Sequence, residues 1–312
     1  MKKTGRLRKL IKSANDAINR MSIIPKPRRD IEVVSGNIFR DLEYSFACMQ
    51  GWRKSMEDTM DYCCSLPDHL SNWRYFALFD GHGGRQVAEV CSERLLDVIL
   101  ETHEFKCLRK DKSRHRDINL ICRGIIGGFL LFDQEILDNE HEKSGSTAIL
   151  SFITECYIIL VNCGDSRAII TSHGELVKAT HDHKPTNDIE KERILNAGGK
   201  VLFNMVNGSL ALSRSLGDVD FKKPNHLHPR DQIVCPEPDV YFYPLMDEFH
   251  LILATDGIWD VFTSEQLAEY VHEKSRSINP NLTNTAIKAL NKSLKFGSKD
   301  NMSIFLIRKK LK

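Results

Sequence analysis

Four aspartates stand at the ends of apolar runs in this sequence: Asp80, Asp165, Asp256 and Asp300. Asp80, for example, follows Tyr75–Phe79 and precedes a Gly-His-Gly-Gly turn. Unbroken apolar runs of this length are typical of strands buried on both faces, so the four carboxylates are predicted to lie at strand ends. If those ends share one rim of a sheet, the carboxylates converge, and divalent cations with oxygen ligands would offset their repulsion.

An Asp-Gly pair after a strand also has a simpler interpretation, because it is a common sequence for a tight turn. Asp80-Gly81 read alone favours that interpretation. The same pair recurs at Asp256-Gly257, again after an apolar run. Together with the carbonyl of Gly81 and the imidazole of His82, this recurrence favours a metal-assisted reaction.

The elements that must position these residues follow from hydrophobic periodicity. Helices are predicted over 85–101, 117–138, 188–196, 264–274 and 283–295, and strands over 44–49, 59–64, 75–79, 146–154, 156–162, 167–171, 251–255 and 302–308. The charged interval 103–117 is predicted to be an exposed loop, and residues 200–231 suit a mobile lobe over the site. Strands predominate without strict βαβ alternation, which favours a layered α+β fold over a doubly wound parallel sheet.

The composition is that of an ordinary globular protein, with 41% hydrophobic and 28% charged residues. No apolar run reaches the roughly 20 residues that span a bilayer, so no transmembrane segment is expected. Nine cysteines without CxxC pairs are interpreted as reduced thiols of an intracellular protein, in the cytoplasm, the nucleus or both. Outside residues 1–29 the chain has 34 basic and 41 acidic residues, which argues against binding to nucleic acid.

Residues 1–30 are predicted to form a separate basic extension, either disordered or amphipathic. Ten Lys or Arg residues and one acid fall within residues 1–29, and the apolar residues among them allow a helix over 6–20. Three roles stay open: a solvated tail or docking arm, contact with a membrane surface or anionic partner, and mitochondrial targeting. Pro25-Lys-Pro27 is predicted to be a linker to a single catalytic domain over 41–310.

Five short motifs carry a family resemblance: Trp52-Arg-Lys-Ser-Met-Glu-Asp58, Asp80-Gly-His-Gly-Gly84, Asn162-Cys-Gly-Asp-Ser-Arg167, Asp256-Gly-Ile-Trp-Asp260 and Gly297-Ser-Lys-Asp-Asn-Met-Ser303. In order and spacing they resemble the metal-dependent protein phosphatase (PPM, type 2C) family of serine/threonine phosphatases. The resemblance spans about residues 41–310. It implies a layered α/β/β/α sandwich in which two central antiparallel sheets are flanked by helices.

The resemblance also implies two Mg²⁺ or Mn²⁺ ions in the site. Asp80 is similar to the carboxylate that bridges both ions, and Glu57 and the Gly81 carbonyl to the other ligands of one ion. Asp256 and Asp300 are similar to the ligands of the other ion. A site built from oxygen donors, without His or Cys ligands, suits these two metals on general grounds.

A third, weaker metal site is implied by the resemblance at Asp165, Asp256 and Asp260. For Asp165 and Asp260 a structural interpretation stays open, because hydrogen bonds within the fold would also explain an aspartate at these positions. His181 and His183 flank an acidic residue, but nothing in the sequence indicates that they bind metal.

Three further residues resemble the family's catalytic groups. Arg53 is similar to the guanidinium that holds the substrate phosphate, a role suited to its bidentate geometry. Asp58 resembles a group hydrogen-bonded to metal-bound water. His82 resembles the general acid that protonates the leaving alkoxide. Read in isolation, Arg53 is better interpreted as a surface ion-pair residue and His82 as a turn-capping residue.

The resemblance implies a monomeric phosphatase that hydrolyses phosphoserine and phosphothreonine in phosphoprotein substrates. A hydroxide bridging the two metal ions would attack phosphorus directly, and no Cys-x₅-Arg loop is present to form a phosphoenzyme. The alternative is a catalytically inactive scaffold with the same fold, although such relatives lose metal ligands that this chain keeps. A phosphatase acting on a small molecule is a second alternative.

Overall fold

The central strands of the fold are the apolar runs of the sequence. The computed structural model describes residues 23–38, 42–138, 143–222, 227–276 and 281–310. The strand Arg74–Phe79 is buried along its whole length, as are Ala148–Ile153 and Phe249–Ala254. Strands with both faces covered lack the polar–apolar alternation of a surface strand, which explains why these runs are continuous.

Two antiparallel sheets form the centre of the molecule. The larger sheet has the order Ile23–Ile38 (β1), Leu42–Arg53 (β2), Met302–Lys309 (β16), Phe249–Ala254 (β15), Arg167–Ser172 (β9) and Glu175–Ala179 (β10). The smaller sheet has the order Asp239–Pro244 (β14), Tyr157–Cys163 (β8), Ala148–Ile153 (β7), Arg74–Phe79 (β4) and Thr59–Cys63 (β3). Two minor sheets consist of Gly81–His82 (β5), Gly145–Ser146 (β6) and Leu216–Gly217 (β13), and of Val201–Leu202 (β11) and Met205–Val206 (β12).

Helices cover the outer faces of both large sheets. Gln86–Glu101 (α1), His103–Lys110 (α2) and Ile118–Leu137 (α3) contribute to the core on the smaller sheet. Asp256–Trp259 (α5), Ser264–Ser275 (α6) and Leu282–Phe296 (α7) contribute to the core on the larger sheet. Asp188–Asn196 (α4) contacts the β11–β12 hairpin, and short 3₁₀ turns occur at 68–70, 112–116, 219–221 and 229–231.

Alternating side chains of one strand serve two different cores. Tyr75, Ala77 and Phe79 of β4 pack in the helix-facing core, whereas Phe76 and Leu78 pack between the two sheets. The order of layers is therefore helix, sheet, sheet, helix. The predicted α/β/β/α sandwich of the α+β class is confirmed.

Most predicted elements are present, but two predictions are wrong: the exposed loop over 103–117 and, as described below, the linker at Pro25-Lys-Pro27. The interval 103–117 contains α2 and a 3₁₀ turn. Its helical face was hard to recognise because Phe105 and Leu108 are its buried apolar residues, among exposed charges. The strands β10 and β14 had no counterpart among the predicted elements.

Pro25-Lys-Pro27 does not form the predicted linker but lies within β1, which begins at Ile23. Part of the predicted basic extension therefore belongs to the larger sheet. Prolines are tolerated here because β1 is an edge strand with irregular register between Ile23 and Arg28, where few backbone N–H groups are needed for pairing. The helix predicted over 6–20 lies outside the described residues. Within the described ranges, no helix is long and apolar enough to cross a membrane.

Packing of Phe105 in the core is expected to stabilise the α2 helix against the smaller sheet. Its ring is fully buried, with its centroid 6.3 Å from that of Trp73 and 6.2 Å from that of Phe152. We expect Phe105→Ala to lower the free energy of unfolding by about 3–5 kcal/mol, because the cavity cannot fully collapse. Urea denaturation measures the change. Lys110→Ala, at an exposed position of the same helix, is the control and is expected to change stability by less than about 0.5 kcal/mol. Equal effects of the two variants would contradict the assignment of α2 as a packed helix.

Candidate active site

The ends of several strands meet at one rim of the sandwich and surround a cavity. Its volume is about 420 Å³. Eight of the ten residues singled out in the sequence line it: Arg53, Glu57, Asp80, Gly81, His82, Asp165, Asp256 and Asp300. The segment Ser209–Leu212, from the interval 200–231, lines the same cavity. The structure thus brings together side chains that are separated by up to 247 positions in the chain.

Two carboxylates of this cavity, those of Asp80 and Asp256, have strongly raised pKa values. Burial raises the pKa of Asp80 well above its usual range, and the nearby carboxylates of Asp256, Asp58, Asp300 and Asp165 raise it further. The pKa of Asp256 is raised in the same way, first by burial and then by Asp165 and Asp300. In the described part of the chain, neither Asp80 nor Asp256 forms a salt bridge. Their mutual repulsion makes the centre of the cavity a place where positive charge is favoured.

Two other carboxylates are neutralised by the protein itself. Asp300 forms a salt bridge with Nη2 of Arg53, and Oδ2 of Asp165 accepts from Nζ of Lys184 at 2.5 Å. Asp260, the remaining residue of the predicted third site, is exposed and does not line the cavity. Among the described residues, no three His, Cys, Asp or Glu side chains already stand as a metal-binding cluster. Asp300 and Asp165 are instead paired with the side-chain cations of Arg53 and Lys184.

Asp58 lies beneath the cavity rather than in its wall. Its Oδ2 accepts hydrogen bonds from Ser303 Oγ at 2.6 Å and Thr255 Oγ1 at 3.1 Å. Its Oδ1 is buried without a hydrogen-bond partner. Burial raises the pKa of Asp58 to about 7, although the Ser303 bond acts in the opposite direction. A buried carboxylate oxygen without a donor is a rare feature of a folded protein and marks a position where a polar ligand or water is needed.

Asn301 was not recognised in the sequence as a residue of the site. Its Oδ1 accepts from the backbone N–H of Glu57 at 2.9 Å, and its Nδ2 donates to the carbonyls of Gln50 and Ser55, both at 2.9 Å. These three bonds fix the loop that carries Arg53 and Glu57 against the start of β16. An asparagine that follows a recognised aspartate could have suggested this role, but its partners lie more than 240 residues away.

His82 has a partner that the sequence did not reveal. Its Nε2 lies 2.8 Å from Oδ2 of Asp218, a residue of the interval that was assigned only to a lobe. By contrast, Arg214 of the same interval does not line the cavity. Its guanidinium donates to Glu190 and Asp239 and therefore stabilises the fold.

Comparison with known proteins places the chain in a family. A sequence model of protein phosphatase 2C matches residues 42–302. Human protein phosphatase 1B is 44% identical over 275 residues, which cover 85% of this chain and 57% of that protein. Human protein phosphatase 1A is 38% identical over 293 residues, which cover 92% and 75%. The chain belongs to the protein phosphatase 2C family. The resemblance seen in its motifs is confirmed.

Solved structures agree with this membership of the protein phosphatase 2C family. A phosphatase from Toxoplasma gondii superposes with a TM-score of 0.74 at 25% identity, covering 89% of this chain and 95% of that chain. A serine-threonine phosphatase 2C from the same organism, at 19% identity and a TM-score of 0.75, shares the fold over 89% of this chain. The mouse relative named protein phosphatase 1B is 42% identical, and the match covers 70% of its length.

In this member of the protein phosphatase 2C family, the crowded carboxylates are expected to lower the free energy of unfolding of the metal-free protein. A carboxyl group whose pKa is raised by folding is fully stabilising only below its unfolded pKa, and stability is lost as pH rises toward the folded pKa. Asp80 meets this condition. We expect Asp80→Asn to stabilise the protein at pH 7 in a chelator by on the order of 1–3 kcal/mol, and to stabilise it much less near pH 4.

Chemical denaturation in EDTA at the two pH values measures this difference. Asp97→Asn, an equal loss of charge at an exposed position of α1, serves as the control and should change stability little at either pH. An Asp80→Asn protein that is less stable than the wild type at pH 7 would show that the carboxylate is not under repulsion.

Proposed function

We propose that this chain is a protein phosphatase that hydrolyses phosphoserine and phosphothreonine and requires Mg²⁺ or Mn²⁺. Relatives that cover most of the chain are named protein phosphatases. The observation that carries the proposal is one cavity lined by Arg53, His82 and a set of crowded carboxylates. An inactive scaffold is not favoured, because every acidic residue implied as a ligand of the two principal ions is present.

The residues of the cavity fit divalent cations that prefer oxygen donors. Asp80 and Asp256 repel each other across a shared space, and Asp58 Oδ1 is buried without a partner. Glu57, Asp80 and the Gly81 carbonyl would hold one ion, and Asp80, Asp256 and Asp300 the other. When bound, Mg²⁺ or Mn²⁺ supplies an activated water and positive charge against the phosphate oxygens. A third, weaker ion at Asp165, Asp256 and Asp260 would compete with Lys184 for Asp165.

Arg53 is placed to bind the phosphate of the substrate. It lines the cavity, and 44% of its side chain is exposed even though Asp300 holds one of its nitrogens. A guanidinium has five N–H donors, so the bond to Asp300 leaves donors for a phosphate. The Asp300 carboxylate also restricts the rotamers of Arg53 before substrate arrives, which lowers the entropy lost on binding.

His82 is placed to protonate the leaving oxygen of serine or threonine. Its burial disfavours the imidazolium, but the Asp218 carboxylate outweighs this effect, so the pKa of His82 is raised above its usual value. A larger share of the imidazole is therefore protonated at neutral pH, as a general acid requires. An alkoxide is a poor leaving group, so a proton delivered at this point contributes about 10²-fold or more to the rate.

The activity itself is tested with a phosphothreonine peptide at a series of Mn²⁺ and Mg²⁺ concentrations. We expect phosphate release that depends on the metal and stops in EDTA. Asp256→Asn should lower turnover at least about 10²-fold at moderate metal concentration, because it removes a carboxylate that would hold one of the ions. No release from any phosphopeptide at saturating metal would favour the scaffold, and activity confined to phosphorylated metabolites would favour a small-molecule phosphatase.

The general-acid role of His82 predicts a dependence on the leaving group. We expect His82→Ala to slow hydrolysis of a phosphoserine peptide by about 10²-fold. The same variant should slow p-nitrophenyl phosphate far less, because that leaving group needs no proton. Steady-state kcat values on both substrates measure the contrast. Equal losses on the two substrates would remove His82 from this role.

A further inference from the structure

His82 belongs to a three-stranded minor sheet whose other strands come from distant parts of the chain. His82 pairs with Gly145 of the middle strand, and Gly145 pairs on its other side with Gly217. The residue after Gly217 is Asp218, whose carboxylate reaches back across Gly145 to the imidazole of His82. Ser215 Oγ donates to the same carboxylate oxygen at 2.5 Å.

The space between the two side chains depends on Gly145. A Cβ at this position would lie 2.3 Å from Asp218 Oδ2 and 2.4 Å from His82 Nε2. Real Cβ atoms do not approach other atoms so closely. The contact between His82 and Asp218 therefore passes directly over a backbone that carries no side chain.

Asp218 reaches His82 from a backbone conformation that has to be maintained. Gly217 and Asp218 both have left-handed backbones, with φ of +76° and +55°. Aspartate adopts this region more readily than most residues, but still at a cost in free energy. A conformation of this kind persists when surrounding contacts favour it.

A buried ion pair supplies these contacts. Asp133 Oδ1, on α3, accepts from the Gly217 backbone N–H at 2.8 Å and from Lys222 Nζ at 2.7 Å. Lys222 Nζ also donates to the Ser215 carbonyl at 2.9 Å. The side chains of Lys222 and Asp133 are 1% and 3% exposed. The ion pair thus contacts the turn 215–222 on both sides of Asp218.

A buried ion pair is weak evidence for stability as such, because desolvation of the two charges offsets much of their attraction. Here both charges contact the turn 215–222, and this turn carries Asp218, the partner of His82. Neither Asp133 nor Lys222 lines the cavity that contains the candidate active site. Their contacts are therefore better explained by the conformation of the turn than by any contact with substrate.

We propose that Asp218 is the positioning residue that orients His82 toward the leaving oxygen, and that the buried Asp133–Lys222 pair holds Asp218 where it can do so. This inference rests on the proposed function, in which His82 is the general acid. With Nε2 bonded to Asp218, Nδ1 is the nitrogen that transfers its proton to the departing serine or threonine oxygen. The neutral imidazole then keeps its remaining proton on Nε2, still bonded to Asp218.

The first test is a double-mutant cycle between Asp218→Asn and His82→Ala. The kcat of each variant is measured on a phosphoserine peptide and on p-nitrophenyl phosphate at the same Mn²⁺ concentration. We expect Asp218→Asn to lower kcat on the peptide by about 10-fold or more and on the aryl phosphate by less than about 3-fold. On the peptide, the double variant should be no slower than His82→Ala, because Asp218 acts through His82.

The control is Asp220→Asn, in the same turn, where a half-exposed carboxylate faces Lys143 at 3.8 Å. It should leave the ratio of the two kcat values unchanged. Equal losses on both substrates for Asp218→Asn, or a double variant slower than His82→Ala, would overturn the positioning role while leaving the proposed function intact. If His82→Ala itself slows both substrates equally, the general-acid role fails, and the positioning role fails with it.

The second test addresses the buried pair with Asp133→Asn combined with Lys222→Met. The asparagine oxygen can still accept from Gly217, no charge is left unpaired, and the bond to the Ser215 carbonyl is lost. We expect the ratio of peptide to aryl kcat to fall in the same direction as in Asp218→Asn, by about 3-fold or more, with the circular dichroism spectrum unchanged. A folded double variant with the wild-type ratio would overturn the role of the pair.

Gly145→Ala gives an independent variant that changes no charge and leaves the buried pair in place. Its methyl group would separate His82 from Asp218, so the ratio should fall as it does in Asp218→Asn. A wild-type ratio in a folded Gly145→Ala protein would overturn the positioning role, even if the variant of the buried pair fails to fold.

Discussion

Electrostatic repulsion among carboxylates at one rim of the sandwich is the constraint to which the rest of the site responds. Asp80 and Asp256 face one cavity, and the pKa of each is raised by burial and by the other acids around it. Only a rigid scaffold can hold like charges together in this way, because flexible loops would separate them. The two sheets provide that rigidity, since strands that end at the rim are clamped between two cores.

The protein offsets this repulsion for only some of the acids. Asp300 and Asp165 have cationic partners in Arg53 and Lys184, both partly exposed. Asp80 and Asp256 have no such partner among the described residues, and Asp58 keeps one buried oxygen without a donor. Side-chain cations therefore limit the charge of one pair of acids, while the charge of the other pair is left for ligands from solution. This division explains how one cavity can be both acidic and suited to an anionic phosphate.

Sequence patterns were sufficient for the strands that position the acids. The run Tyr75–Phe79 is continuous because helices cover one face of β4 and the other sheet covers the second. Its end, and hence the place of Asp80, could be read directly. The helix α2 could not, because Phe105 and Leu108 alone mark its buried face. Contacts such as His82 with Asp218 join residues 136 positions apart, and no local pattern encodes such a pair.

The irregular outer strands of the larger sheet have a consequence for how copies of the protein meet. An exposed, flat strand edge offers unpaired N–H and C=O groups to a neighbouring chain and promotes aggregation. At one edge, β1 carries Pro25 and Pro27 and loses regular register between Ile23 and Arg28. At the other edge, β10 has a register shift between Leu176 and Lys178. Neither border is regular along its whole length, so intermolecular sheet growth is hindered at both edges of the larger sheet.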